Sequence, residues 1–264
     1  MSDSLKTLIA EIHSEHILLL TINRPQFANA FNTQMARELI DIFEDLALHP
    51  KQVRAIILTG AGKHSFCAGG DLKERKEMSN EAWQAQHLVY ERMMRAIMGC
   101  PIPIIGAVNG AAFGGGCELV AAMDFTYVSN TAKFAQTEVT LGIIPGAGGT
   151  QTLARAVGER RAKELILTGR VFNAQEAFEW GLANQIFAPS DLLPAALDTA
   201  KKISANAPIA VRQAKQAIHK GLQMSLMDGL AFEIEAYNRT VSTDDRREGV
   251  AAFNEKRPAH FEGR

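Results

Sequence analysis

Apolar residues in the first two-thirds of the chain alternate between short continuous runs and longer stretches with helical spacing. The longer stretches 33–48 and 80–98 repeat apolar residues every three or four positions and therefore predict amphipathic helices. Four short runs, each bounded by turn residues, predict strands: 16–22, 54–60, 103–108 and 124–129. Strands that alternate with helices favour an α/β body.

The chain after about residue 193 shows a different pattern, without a convincing strand. It predicts three or four helices, interrupted near 206–208 and 241–243. At the second break, Thr243 precedes two aspartates, which predicts a helix N-cap. We therefore expect an α/β region over 1–193 and a helical region over 194–264.

Composition and charge exclude several broad classes of function. The 264 residues carry a formal net charge of −1, with acidic and basic residues mixed along the chain. This argues against a general nucleic-acid or membrane-surface binder. Three cysteines without CxxC spacing favour a reducing compartment over a disulfide framework. The N-terminus lacks a signal-peptide pattern, and no apolar run of about 18 residues occurs. We expect a cytoplasmic protein with no membrane or nucleic-acid partner.

Known phosphate-binding and hydrolase motifs fail when they are tested residue by residue. Gly62 and Lys63 follow a predicted strand, but the Walker pattern requires glycine at Ile57 and serine or threonine at His64. The stretch from Gly106 also misses the GxGxxG spacing of dinucleotide sites. Neither HExxH nor GxSxG occurs, and the seven histidines are scattered. We therefore expect no metal site and no serine-hydrolase site.

Two glycine-rich stretches, SFCAGGDLKER from Ser65 and AVNGAAFGGGCEL from Ala107, each lead into a predicted helix. Backbone N–H groups at a helix start suit an anion, or an oxyanion formed during a reaction. Two such turns could hold one oxygen between them. Glu118 closes the second stretch, and Glu138 lies in a third, FAQTEVTLGIIPGAGGTQ. Each feature also has a plain structural explanation, because glycines permit close packing and glutamates stabilise the first turn of a helix.

Taken together and in order, these stretches resemble the enoyl-CoA hydratase/isomerase (crotonase) superfamily over essentially the whole chain. The N-terminal TINRPQFANAFN and the C-terminal STDDRREGVAAFNEKRPAHF complete the resemblance. It implies an α/β crotonase-like fold, with a spiral core of stacked ββα units and a C-terminal helical trimerisation region. Residues 1–193 would then form the catalytic core and 194–264 the oligomerisation region.

The resemblance implies a reaction on a coenzyme A thioester whose carbonyl oxygen accepts from the N–H groups of Gly70 and Gly115. Glu118 and Glu138 match the paired carboxylates of the hydratases, which add water to a 2-enoyl thioester. We assign Glu118 chiefly to activation of the water and Glu138 to proton transfer at C2. Where the dienoyl isomerases carry an aspartate, this chain has Gly146. An isomerase or a non-catalytic acyl-CoA-binding relative is the alternative.

The resemblance also implies contacts to coenzyme A, which is part of the substrate, so no separate cofactor is expected. The residues at the matching positions are Arg24, Gln26, Ala28, Ala68, Gly70, Asp71, Leu72, Lys73, Gly115, Pro145, Gly146, Phe253 and Lys256. Many relatives carry a basic residue where this chain has Gln26, which leaves Arg24 as the nearby positive charge. Lys256 is expected to reach a coenzyme phosphate. One wall of the acyl pocket is expected from 76–84.

Assembly and substrate preference are further expectations from the same resemblance. The family's homotrimers, or homohexamers built as dimers of trimers, predict apolar contacts through Met224, Leu226, Leu230 and Phe232. The stretch GDLKERKEMS resembles members that hydrate 3-methylglutaconyl-CoA in leucine degradation. Some of those relatives bind RNA through a lysine-rich helix, but the matching helix here is acidic, so no RNA partner is expected.

Overall fold

The structure of the protein, a computed structural model, describes residues 5–264 and contains ten strands in that range. They are β1 (Leu8–His13), β2 (Ile17–Ile22), β3 (Ala55–Gly60), β4 (Ser65–Cys67), β5 (Ile104–Val108), β6 (Ala111–Phe113), β7 (Phe125–Ser129), β8 (Lys133–Ala135), β9 (Phe172–Asn173) and β10 (Gln185–Phe187). Six form a large sheet in the order β1-β2-β3-β5-β7-β10, and four form a small sheet in the order β4-β6-β8-β9. Neighbouring strands are parallel except for the pairs β1 with β2 and β8 with β9.

Eleven α-helices lie between and after these strands in the same part of the chain. They are α1 (Thr33–Leu48), α2 (Leu72–Arg75), α3 (Asn80–Gly99), α4 (Gly115–Ala122), α5 (Gly149–Val157), α6 (Glu159–Thr168), α7 (Ala174–Glu179), α8 (Leu192–Ser204), α9 (Pro208–Gly221), α10 (Leu226–Val241) and α11 (Asp244–Glu255). Along the chain, β3, β5 and β7 of the large sheet are each followed by a strand of the small sheet and then by a helix. This repeated order is the stacked ββα arrangement that the resemblance implies, and it confirms the expected fold class.

The large sheet is covered on both faces, which explains why its strands are uninterrupted apolar runs. Alternate residues of a strand point to opposite faces, so neighbours in β3 enter different cores. Ile56 joins the larger core with residues of α1, α3 and α4, whereas Ile57 packs with Ala196 and Ala200 of α8. The boundary expected at residue 193 falls inside α8, a helix of the core. The division of the chain at that point stays a prediction.

Helix α1 forms over the residues that the apolar spacing predicts. Asn32 caps its start, because the side-chain oxygen accepts a hydrogen bond from the Met35 N–H at 3.0 Å. Loss of such a cap typically costs about 1 kcal/mol. Met35, Leu39 and Phe43, four residues apart, are fully buried and form the stripe that faces the core.

The four predicted strands are present, each beginning one residue later than expected. The three-residue strands β4, β6 and β8 of the small sheet are absent from the prediction, because a run of three residues carries no measurable period. Strand β1 is also absent from it. Only Leu8 of that strand is buried, and the rest of it is exposed or half-buried edge.

The C-terminal region contains four helices, α8 to α11, in agreement with the expected three or four. Both predicted breaks are present, before α9 and before α11. Thr243 caps α11 as predicted, by accepting from the Arg246 N–H at 3.1 Å. The further break between α9 and α10 has no counterpart in the sequence prediction.

Apolar side chains of the segment that ends α9 and forms α10 are left on the surface. Leu226 is 77% exposed, Leu230 46% and Met224 42%, and Phe232 is half-buried. These side chains are therefore not core residues of this chain. Their role in assembly stays a prediction.

Three features of residues 5–264 concern cysteine pairing, membrane spans and metal clusters. Cys67, Cys100 and Cys117 are buried and unpaired. Among the helices formed by residues 5–264, none combines the length and the apolar composition that a membrane crossing requires. In the same range, no three histidine, cysteine, aspartate or glutamate side chains cluster as a metal site would need.

Candidate active site

Two glycine turns meet at the centre of the site, one after β4 and one at the start of α4. Gly69, in the first turn, has a φ of +93°, and a Cβ on it would lie 2.8 Å from the Phe113 oxygen. The same Cβ would lie 3.1 Å from the Gly115 nitrogen. A Cβ on Gly116 would lie 1.9 Å from the carbonyl oxygen of Cys67. The two turns touch because glycine occupies these positions.

The backbone N–H groups of Gly70 and Gly115 have no acceptor among residues 5–264. Phe31 pairs with the first turn as an isolated β-bridge, accepting from the Asp71 N–H at 2.9 Å and donating to the Gly69 oxygen at 2.8 Å. This pattern leaves the N–H of Gly70 unpaired between two paired groups. Gly115 is the first residue of α4, where N–H groups have no partner within the helix. Two N–H donors are thus available in adjoining turns.

Glu118 lies in the first turn of α4 and is 3% exposed. Its Oε1 accepts from the N–H groups of Ala147 and Gly149, at 2.8 and 2.7 Å. Its Oε2 lies 3.6 Å from the place that a Cβ on Gly115 would take. Burial raises the pKa of Glu118 to about 7 and the charge of Glu138 adds to the increase, while the two N–H donors oppose it. Such a carboxyl can both accept and donate a proton near neutral pH.

Glu138 is the second carboxylate of the site and begins a short 3-10 helix, Glu138–Leu141. Burial raises its pKa. The fully buried Gln136 turns its amide nitrogen toward Glu138 and donates to the two carboxylate oxygens at 3.2 and 3.1 Å. The reverse orientation would set oxygen against oxygen. Glu138 Oε1 lies 3.1 Å from the place of a Cβ on Gly114, so the two carboxylates adjoin neighbouring glycines of one turn.

A cavity of about 850 Å³ connects these groups. Gly70, Gly115, Glu118 and Glu138 all line it, so the four residues predicted to be catalytic come together in one place. Apolar side chains from α3 and from the segment after Glu138 form much of the remaining wall: Trp83, Leu88, Leu141, Ile143 and Ile144. The volume is typical of a small-molecule site.

Arg24 is engaged within the fold, although the resemblance implies that it contacts the coenzyme. Its Nη2 pairs with Asp71 Oδ2 at 2.9 Å, and its Nη1 donates to the Ala30 oxygen. The side chains of Arg24 and Asp71 are each 10% exposed. Asp71 also caps α2 by accepting from the Lys73 N–H at 3.0 Å. The pair fixes the segment around Arg24 against the turn that carries Gly70, and its role in coenzyme binding stays a prediction.

The other predicted coenzyme contacts divide by their position relative to the cavity. Ala68, Leu72 and Gly146 line it, as do Gly70 and Gly115. The remaining ones do not: Gln26, Ala28, Lys73, Pro145, Phe253 and Lys256. The first three are exposed beside the Arg24–Asp71 pair, Pro145 is buried, and the last two are exposed at the end of α11. These positions do not test the contacts with coenzyme A, which stay predictions.

The side of the cavity formed by α2 and α3 contains polar and aromatic side chains: Arg75, Trp83, Gln84, His87 and Tyr90. Only the end of the expected wall, 76–84, takes part. Arg75 and His87 have no place in the sequence prediction. A Cβ on Gly146 would lie 2.2 Å from His87 Cε1, so the ring fills the space beside that glycine. The spacing of four and three residues between Trp83, His87 and Tyr90 is the signal that could have identified this face.

Known proteins resemble this chain in sequence and structure over nearly its full length. The sequence matches the enoyl-CoA hydratase/isomerase family over residues 13–264. It is 42% identical to the short-chain-enoyl-CoA hydratase of Clostridium acetobutylicum over 241 residues, 91% of this chain and 92% of that protein. It is 40% identical to the crotonyl-CoA hydratase of Syntrophomonas wolfei over 247 residues, 94% of this chain and 95% of that protein.

A solved structure extends the comparison to the fold. The crystal structure of an enoyl-CoA hydratase from Bacillus anthracis matches with a TM-score of 0.95 and 42% identity. The match covers 98% of this chain and 100% of that one. The repeated ββα units lie within residues 13–264, the range that matches the family. This chain belongs to the enoyl-CoA hydratase/isomerase family, the crotonase superfamily.

Proposed function

We propose that the protein is an enoyl-CoA hydratase, which adds water reversibly across the C2–C3 double bond of a 2-enoyl thioester. The product is the corresponding 3-hydroxyacyl thioester. One observation carries the proposal: two buried carboxyls with raised pKa values share a cavity with two free backbone N–H groups. The relatives named as short-chain-enoyl-CoA and crotonyl-CoA hydratases support it.

The N–H groups of Gly70 and Gly115 would bind the thioester oxygen. When water adds at C3, electron density moves through C2 onto this oxygen, and both hydrogen bonds become stronger in the transition state. Loss of one such donor typically costs about 3 kcal/mol of barrier. Because the donors are backbone groups fixed by contact between two turns, their geometry is set before the substrate binds.

The two carboxyls divide the proton transfers of the proposed reaction. Ionised Glu118 takes a proton from the water as its oxygen bonds to C3, and protonated Glu138 gives a proton to C2 on the same face. The two N–H donors at Glu118 Oε1 favour its charged form against the larger effect of burial, and the assignment requires the coupled pair to hold one proton, on Glu138. The addition is redox-neutral, and the coenzyme arrives as part of the substrate. We therefore propose no separate cofactor.

Two further properties belong to the same proposal. The exposed apolar side chains Met224, Leu226 and Leu230 support assembly of the chain into a homotrimer, or a hexamer of two trimers, through the C-terminal helices. In such an assembly, Lys256 could serve its own or a neighbouring site. The unpaired cysteines support a reducing compartment such as the cytoplasm.

Loss of the conjugated enoyl-thioester absorbance tests the activity, with crotonyl-CoA and 3-methylglutaconyl-CoA as substrates. Glu118→Gln and Glu138→Gln are expected to lower kcat by about 100-fold or more, because each removes one proton-transfer group and keeps its shape. Glu159→Gln is the matched control. Glu159 is exposed at the start of α6, outside the cavity, and this variant is expected to keep the wild-type rate.

Two results would overturn the hydratase proposal: no hydration of any enoyl thioester by the wild-type protein, or full activity in both cavity variants. Conversion of a 3-enoyl to a 2-enoyl thioester without hydration would indicate an isomerase instead. Binding of acyl-CoA without turnover would indicate a non-catalytic member of the family.

A further inference from the structure

Arg75, the last residue of α2, lines the cavity and is only 8% exposed. Its guanidinium carbon lies 4.3 Å from the centroid of the Trp83 ring and 5.0 Å from that of Tyr90. Its Nε donates to Gln86 Oε1 at 2.7 Å. An arginine between aromatic faces with one anchored nitrogen has a fixed orientation.

The group that anchors Arg75 is itself fixed by hydrogen bonds. Gln86 is 5% exposed, and its Nε2 donates to Thr33 Oγ1 and to Glu74 Oε2, both at 2.8 Å. Glu74 also accepts from the Thr33 N–H at 3.0 Å. Glu74 holds Gln86 and the Thr33 N–H and forms no salt bridge with Arg75, although burial lowers the pKa of Arg75 and the charge of Glu74 opposes that lowering.

The two Nη atoms of Arg75 have no acceptor among residues 5–264. No side-chain nitrogen or oxygen in that range is both sealed from solvent and unpartnered. The Nη atoms of Arg75 are therefore reachable from the cavity that the residue lines. A buried arginine without a carboxylate partner is unusual, because removing a charge from water is costly unless it is paired.

The position of Arg75 relates this cation to the reacting end of the substrate. Its guanidinium carbon lies 4.0 Å from the place of a Cβ on Gly70, one of the two proposed oxyanion donors. The other ionisable side chains of the cavity wall are Glu118, Glu138, His87 and Tyr90. The cavity thus contains a cation close to the turn that carries Gly70. The hydration of an uncharged acyl group does not use this cation.

We propose that Arg75 is a specificity-determining residue that binds a carboxylate on the acyl group of the substrate. The proposal rests on the proposed function and names its substrate class: a short 2-enoyl thioester whose acyl group carries a carboxylate. Two parallel N–H donors of a guanidinium match the two oxygens of a carboxylate. The rings of Trp83 and Tyr90 and the hydrogen bond to Gln86 hold the guanidinium in place, so this match is prepared before binding.

Binding of two saturated thioesters tests the proposal without requiring turnover. Glutaryl-CoA and butyryl-CoA differ in whether the short acyl chain ends in a carboxylate. Calorimetry with the wild-type protein is expected to show about 30-fold tighter binding of glutaryl-CoA. Arg75→Met is expected to remove this preference and to leave the affinity for butyryl-CoA unchanged. Arg75→Lys is expected to keep part of the preference, because it retains the charge and loses the planar fork.

Arg95→Met is the matched control, since Arg95 is an exposed arginine on α3 that pairs with Glu91 outside the cavity. Hydration of crotonyl-CoA and glutaconyl-CoA by each variant gives a second readout. For Arg75→Met, kcat/KM is expected to fall about 30-fold more with glutaconyl-CoA than with crotonyl-CoA.

Three results would overturn the assignment of Arg75. They are a wild-type preference for glutaryl-CoA below about threefold, a preference that survives in Arg75→Met, or equal losses by that variant on both acyl groups. The last result would indicate that Arg75 supports the fold or the thioester end. If the Met variant fails to fold, the wild-type preference and the Lys variant decide. If the wild-type protein hydrates neither substrate but prefers glutaryl-CoA, the hydratase proposal fails and the carboxylate site stands.

Discussion

Replacement of Glu118 by glutamine is expected to make the protein more stable above neutral pH while it removes activity. The folded-state pKa of about 7 lies above the ordinary value of 4.5 because the carboxyl is buried. Below about pH 4.5 the carboxyl is protonated in the folded and the unfolded state and does not lower the free energy of unfolding. As the pH rises toward 7, the Glu118 carboxyl ionises in the unfolded chain but stays largely protonated in the folded chain. Stability is therefore lost across this interval and stays reduced above it.

The size of the effect follows from the difference between the two pKa values. A shift from 4.5 to about 7 corresponds to about 3 kcal/mol. For a chain of this length, that free energy is equivalent to about 5 °C in Tm. Glutamine fits the site because its single side-chain oxygen can accept from both Ala147 and Gly149, as Glu118 Oε1 does.

Differential scanning fluorimetry at one fixed protein concentration measures the effect between about pH 4.5 and 8.5. The stabilisation by Glu118→Gln is expected to be absent at the acid end, to grow through the interval and to level off above about pH 7. A gain that is the same at every pH, or no gain at the alkaline end, would refute the reasoning from burial.

Glu38→Gln is a control with the opposite sign. Burial acts to raise the pKa of Glu38, but hydrogen bonds from Thr7, Lys6 and Gln34 outweigh it and lower the pKa. The ionised form is therefore stabilised by folding, and this contribution is lost as the pH falls through the folded-state pKa. Glu38→Gln is expected to destabilise the protein at the alkaline end, where Glu118→Gln stabilises it.

Glycines of the site and the acid–base pair give further predictions. Gly116→Ala sets a methyl group 1.9 Å from a backbone oxygen of β4 and is expected to cost about 3 kcal/mol or more in chemical denaturation. Gly99→Ala, with open space around it, is expected to be neutral or slightly stabilising; equal losses would contradict the contact argument. Gly146→Ala displaces the His87 ring and is expected to lower kcat/KM about 10-fold. His87→Ala in the same chain should restore most of it, and a double variant no better than the single one would exclude this collision as the cause. In steady-state assays, kcat/KM is expected to rise and then fall with pH, because activity requires one proton on the coupled pair, with Glu118 ionised and Glu138 protonated; a flat profile would contradict this acid–base pair.

The elements that the sequence predicts well are those with a long period or a continuous apolar run. Helix α1 and the four inner strands of the large sheet have such signals. The small sheet escapes prediction, because its strands are only two or three residues long and β4 and β6 adjoin the glycine turns. The glycines themselves are more informative than the strands, since the contact of Gly116 with Cys67 explains why no larger residue fits there.

The candidate site is predicted in part, for a related reason. Glu118, Glu138 and the two glycines lie in continuous motifs, so their order along the chain reveals them. Arg75 and His87 escape because a polar residue on a helix is usually a solvated one. The helical spacing of His87 with Trp83 and Tyr90 marks a common face but not a function, and only the packing of α2 and α3 over the cavity gives Arg75 and His87 a common environment. The N–H donors to Glu118 also depend on the path of a loop, and no periodic pattern in the sequence predicts that path.

The loop between Glu138 and α5 contributes both to the cavity wall and to the hydrogen bonds of Glu118. Ile143 and Ile144 form part of the acyl wall, and a few residues later Ala147 and Gly149 donate to the Glu118 carboxylate. An acyl group that pushes this wall outward would draw those donors away and make the carboxylate a stronger base that is ionised less often. Bulky substrates would then differ from small ones in kcat and in pH optimum, and not only in KM. The proton affinity of Glu118 would then depend on the size of the bound acyl group.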